Sequence, residues 1–89
     1  MATGDRYDGE WLEGRKNGKG TYSFANSDAY EGYFVDGLRQ GKGIYTWQDK
    51  SYYKGDWSED RMNGRGLYCS PDGKTVEGYF ENDNFVRDL

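Results

Sequence analysis

Residues 14 to 21, GRKNGKGT, hold the parts of a phosphate-gripping loop: glycines, a Gly-Lys pair and a threonine. A nucleotide loop needs four residues between its first glycine and the Gly-Lys pair, then Ser or Thr directly after the lysine. Here Arg15, Lys16 and Asn17 alone separate Gly14 from Gly18, and Gly20 stands where the hydroxyl belongs. GLRQGKGI at 37–44 and DRMNGRGL at 60–67 have nearly the same form. A mononucleotide site occurs once in a domain, whereas a turn recurs, so the stretch reads as structure.

The remaining reactive residues lead no further towards catalysis. The chain has no histidine, which removes Ser-His-Asp and Cys-His mechanisms. Its one cysteine, Cys69, rules out an internal disulfide and a zinc cluster of paired cysteines. The 16 Asp and Glu residues are spread along the chain, with no two singled out as a paired acid for glycoside hydrolysis. No enzyme, no metal and no cofactor are therefore expected. A net charge of −4 argues against nucleic acid as a partner. The opening MATGDRYDGE has no basic-then-apolar leader and no run is long enough to span a bilayer, so a reducing, cytoplasmic location is expected.

The elements that carry these residues follow from a repeat of 23 residues. YDGEW begins at Tyr7, YEGYF at Tyr30, YKGDW at Tyr53 and VEGYF at Val76. Paired glycines keep the same step at Gly18 and Gly20, Gly41 and Gly43, Gly64 and Gly66, as do Tyr22, Tyr45 and Tyr68. Within a unit the period is two: Tyr7, Gly9 and Trp11 share one strand face, and Gly18, Gly20, Tyr22 and Phe24 share another. Two strands with a turn at Asn17-Gly18 make a hairpin, and polar stretches such as ANSD and SPDG lead to the next unit. A strand glycine leaves a slot for an aromatic ring, which offsets the stability glycine otherwise loses. The expectation is an all-β, single-layer antiparallel sheet of stacked hairpins with about seven strands, roughly 30 Å across. Its parts are a lead-in (1–6), units at 7–29, 30–52 and 53–75, a partial unit at 76–81, and a tail or cap at 82–89.

The pattern YxGxW/F, then N/Q-G-x-G, then Tyr, at a 23-residue step resembles the MORN (membrane occupation and recognition nexus) repeat over residues 7–81. The fourth unit departs from it, with Val76 for the leading tyrosine and FVRDL for the second strand. The resemblance implies a non-catalytic protein–protein interaction scaffold, found in cytoskeletal or ciliary and axonemal assemblies. It also implies a second reading, a peripheral membrane tether that binds anionic phospholipids.

Three sets of residues are candidates for these roles. An aromatic groove would use Trp11, Tyr22, Phe34, Tyr45, Trp57 and Tyr68, although rings in so small a repeat must also form the core. On the opposite face Tyr33, Ile44, Leu67 and Tyr79 are expected to form a broken apolar row for a partner. Arg15, Lys16, Arg39, Lys42, Arg61 and Arg65 are expected along one rim of the sheet, where phospholipid head groups would bind. The tail, with Phe85, Val86 and Leu89, either caps the last strand or pairs with another chain. Self-association through a sheet edge is the further possibility left open by so little aliphatic core.

Overall fold

The two-residue alternation becomes strand, broken by short turns, within residues 4–88, the part that the computed structural model describes. Eight strands, β1 (Arg6–Leu12), β2 (Arg15–Ser23), β3 (Ala29–Val35), β4 (Leu38–Thr46), β5 (Tyr52–Ser58), β6 (Arg61–Cys69), β7 (Thr75–Glu81) and β8 (Asn84–Asp88), lie in chain order. They form a single antiparallel meander. The eighth strand is the tail: residues 84–88 fold back on β7 and complete the fourth hairpin. Leu89 and the first three residues of the lead-in lie outside the described residues.

Glycine faces glycine across every interior pairing, from Gly9↔Gly20 through Gly32↔Gly43 to Gly66↔Gly78. The reason is close approach. A Cβ on Gly55 would sit 2.5 Å from the Cα of Gly66, closer than real Cβ atoms come. Over the pair inside each of the first three hairpins lies a tyrosine ring, whose hydroxyl donates to the carbonyl three residues on. Tyr7 reaches Glu10 at 2.7 Å, Tyr30 reaches Tyr33 at 3.0 Å and Tyr53 reaches Asp56 at 3.0 Å. Glycine thus serves as the floor on which the ring is laid and its polar tip satisfied.

The hairpin turns are not where Asn17-Gly18 suggests. They are the two-residue loops Glu13-Gly14, Asp36-Gly37, Glu59-Asp60 and Asn82-Asp83, with both φ angles positive in each, as a type I′ turn requires. Asn17-Gly18 lies inside β2, where the register with β1 shifts between Gly9 and Trp11. Gly18, at φ 94°, supplies the left-handed residue of that bulge. Asn17 works between units: its Oδ1 accepts the Asp36 N–H at 3.3 Å, as Gln40 Oε1 accepts that of Glu59 at 2.9 Å. Beside these bonds the backbone repeats its own contact. The N–H of Gly37, Asp60 and Asp83 donates to the carbonyl of Lys16, Arg39 and Met62 at 2.9, 2.9 and 3.0 Å. Each of the last three turns is therefore docked on the bulge of the unit before it.

Packing follows the same direction. Tyr30 and Tyr53 are fully buried, with Phe34, Trp57 and Phe80 almost so. Phe34 stands edge-on to Tyr7, Trp57 to Tyr30 and Phe80 to Tyr53, at centroid distances of 5.3, 5.4 and 4.8 Å. Such contacts add about 0.5–1.5 kcal/mol each beyond the area they bury. In the fourth unit Val76 provides no ring, and Phe85 of β8 lies over Gly78 and against Phe80 at 5.5 Å instead.

Candidate functional site

One face of the sheet carries the rings. Among the six groove residues, Phe34 and Trp57 are in the core, while Trp11 is 58% exposed. Tyr22, Tyr45 and Tyr68 are half-buried along the open side of that core. Burial pushes the hydroxyls of Tyr30, Tyr45 and Tyr53 up to about 12. At Tyr45 the second cause is its hydrogen bond to the carboxylate of Asp28, 2.8 Å away. These phenols stay protonated at neutral pH and act as donors to fixed acceptors.

A column beside the rings is invisible as a motif because its residue types differ: Lys16, Arg39, Met62 and Phe85. The Lys16 ammonium sits 5.2 Å from the Tyr22 ring centre and 5.9 Å from that of Tyr7. The Arg39 guanidinium lies over Trp57 at 4.6 Å and Tyr45 at 5.1 Å. Its Nε donates to Asp60 Oδ1 at 2.6 Å and a terminal nitrogen donates to the Asp60 carbonyl at 2.8 Å. A desolvated cation over several rings is worth about 2 kcal/mol, so Arg39 acts as a core residue with a charged tip. Sequence reading also passed over Asp28, which is 8% exposed. Its carboxylate takes the Tyr45 hydroxyl and the N–H of Gln48, tying one inter-unit turn to the next. Asp5 does the same for Tyr22 and Ala25, so the 23-residue step between Asp5 and Asp28 was the available signal.

The other face carries charge. The register separates the four expected apolar residues into two rows. Ile44 lies between Glu31 and Lys54, and Leu67 between Lys54 and Glu77. Tyr33 faces Lys19, and Tyr79 faces Arg65 and Arg87. The rows are set by where the turns fall: Thr21 and Ile44 both pair with Glu31, two residues before Tyr33, so equal sequence steps do not land in one row. What results is a trough of ≈ 680 Å³. Ile44 and Leu67 form its apolar part, and Lys19, Lys42, Lys54 and Arg65 alternate with Glu31 and Glu77 around them. Lys42 pairs with Asp56 at 2.6 Å and Arg65 approaches Glu77 at 3.8 Å.

The basic rim is divided in the same way. Arg15 and Arg61 flank the turns and are exposed. Lys16 and Arg39 belong to the aromatic face, whereas Lys42 and Arg65 belong to the trough. The stretch GRKNGKGT also has its anion already: Glu10 Oε2 accepts the Lys19 N–H at 2.9 Å beside Gly18. Asp56 Oδ2 makes the matching bond to Arg65 at 3.2 Å. The loop that resembles a phosphate cradle thus holds a carboxylate of its own hairpin. Among the described residues no group of three or more Cys, Asp or Glu side chains is placed to hold a metal ion.

The family model described as MORN repeat matches residues 7–29, 30–52 and 53–75, three blocks without a gap. No curated protein shows a significant match to the chain.

Proposed function

This chain belongs to the MORN repeat family, a non-enzymatic repeat family that binds proteins or membrane lipids, and we propose that it is a protein–protein scaffold of a cytoskeletal or ciliary assembly in the cytoplasm. The observation that supports this reading is that one thin sheet presents two unlike faces back to back. The aromatic side offers half-buried tyrosines, and the reverse side offers the mixed-charge trough around Ile44 and Leu67. A layer with two addressable faces can hold two proteins at once. Alternating charge in the trough suits a folded or peptide partner with its own alternating charge. A surface of anionic lipid would call for cations alone, and here Glu31, Asp56 and Glu77 stand among them.

Affinity purification with cross-linking mass spectrometry tests the proposal. Cytoskeletal proteins are expected to be enriched on the native chain and lost from the doubly substituted Ile44→Asp, Leu67→Asp chain at unchanged melting temperature. Equal capture by the folded double variant removes the trough from the account. Pelleting with phosphatidylserine vesicles at physiological salt, without enrichment of cytoskeletal proteins, replaces the scaffold with the membrane tether.

A further inference from the structure

The junction between the first two units is built from the same columns as the next junction, with one ring changed. At the second junction the Trp57 indole fills the space beneath the cation. It touches Tyr45 at 6.1 Å, lies 4.6 Å below Arg39, and donates its Nε1–H to the Gly43 carbonyl at 3.1 Å. At the first junction Phe34 takes the place of Trp57 and Lys16 that of Arg39. Phe34 packs on Tyr7 and Tyr30 at 5.3 and 5.1 Å, yet among the described residues it meets neither the Tyr22 ring nor the Lys16 ammonium. A cleft of ≈ 180 Å³ is left, lined by Lys16, Tyr22, Phe24, Phe34 and Arg39 among others. A cavity of roughly 150 Å³ is enough to take up benzene. At the third junction Phe80 is again a phenylalanine, but Phe85 lies against it and Met62 stands in the lysine's position.

The two cations that line the cleft differ in their pairing. Arg39 is balanced by Asp60, which also lines the cleft. Lys16 has no ion pair among the described residues and is held over tyrosine faces. Its positive charge is open to a partner at the mouth of an aromatic cleft.

We propose that the cleft between Phe34 and Tyr22 receives an aromatic side chain of a protein partner, presented beside a carboxylate that pairs with Lys16. This rests on the protein-scaffold reading and gives it an anchor. The molecule contains the template for the occupied state, because Trp57 shows a larger ring seated at the equivalent position beneath a cation. The site discriminates on two grounds, ring size through Phe34 and charge through Lys16.

The test uses the whole chain and two small probes, N-acetyltryptophan and its uncharged amide, followed by NMR of the aromatic resonances. Saturable shifts at Phe34 and Tyr22 are expected, with half-saturation on the order of 1–10 mM. Phe34→Trp fills the cleft from within, as Trp57 does, and is expected to weaken both probes at least about tenfold while the fold is kept. Lys16→Gln is expected to weaken the acid about threefold and leave the amide unchanged. Should Phe34→Trp fail to fold, the charge-selective loss in Lys16→Gln decides the matter alone. No saturable shift by roughly 20 mM, shifts that map to Ile44 and Leu67, or equal binding by the folded Phe34→Trp chain overturns the proposal. Probe binding without protein capture would leave the cleft standing and remove the scaffold, so the two readings fail separately.

Discussion

Trp11 and Phe80 occupy the same column at the two ends of the sheet, yet Trp11 is 58% exposed and Phe80 is 8% exposed. Their own strands are alike. What differs is the neighbour: Phe80 has Tyr53 of the preceding unit against it, and Phe85 of β8 on its other side. Trp11 has Tyr7 of its own strand at 4.9 Å and no described unit before it. Burial in this array is therefore handed on from each unit to the next, in keeping with nearest-neighbour stability in repeat proteins.

The glycine floor is where a single substitution has the largest expected effect. Gly55→Val would drive Cβ into the Gly66 backbone and the Arg65 carbonyl, a cost above about 4 kcal/mol that a domain this small does not survive. Loss of the far-ultraviolet strand signal is the expected result; a cooperative melt in that variant would refute the close-approach argument. Trp57→Ala should lose about 3–5 kcal/mol by denaturant titration. Alkali tests the buried tyrosines together. Their folded values are raised to about 12 from 10.0 in the unfolded chain. The neutral phenol is favoured by folding, so this stability is fully present below pH 10 and is lost as pH rises towards 12. Melting temperature should fall across that window in step with tyrosinate absorbance, and a flat profile would contradict it. Phe85→Ala should cost about 1–2 kcal/mol, less than a core phenylalanine because half its surface is in water. Trp11→Ala should change stability by less than about 0.5 kcal/mol. If Trp11 and Trp57 prove equally costly, the directional account of burial fails.

Hairpins, faces and the ring-on-glycine ladder were legible because each depends on contacts that recur at the 23-residue step. The turn was misplaced because Asn-Gly is a strong local signal, whereas Glu13-Gly14 and Glu59-Asp60 reveal themselves only as a periodic column with positive φ. Asn17 recurs for a bond to the following unit, which local rules do not see. The rows of the second face were misread for the same reason, since the placement of the turns decides which residues meet: Thr21 and Ile44 both pair with Glu31 and not with Tyr33. That Lys16, Arg39, Met62 and Phe85 form one column escaped notice for a different reason. Their shared role is to cover rings, and a long cation, a thioether and a phenyl group all do so.

That column has a consequence for how such an array diverges. The step between units is held by backbone bonds from Gly37, Asp60 and Asp83 to the carbonyls of Lys16, Arg39 and Met62, a contact common to all three junctions whichever side chain the residue bears, to which Arg39 alone adds side-chain bonds. A substitution there rewrites what one unit displays without altering where its neighbours stand. The sheet behaves as a ruler whose divisions are fixed and whose labels can be changed one at a time.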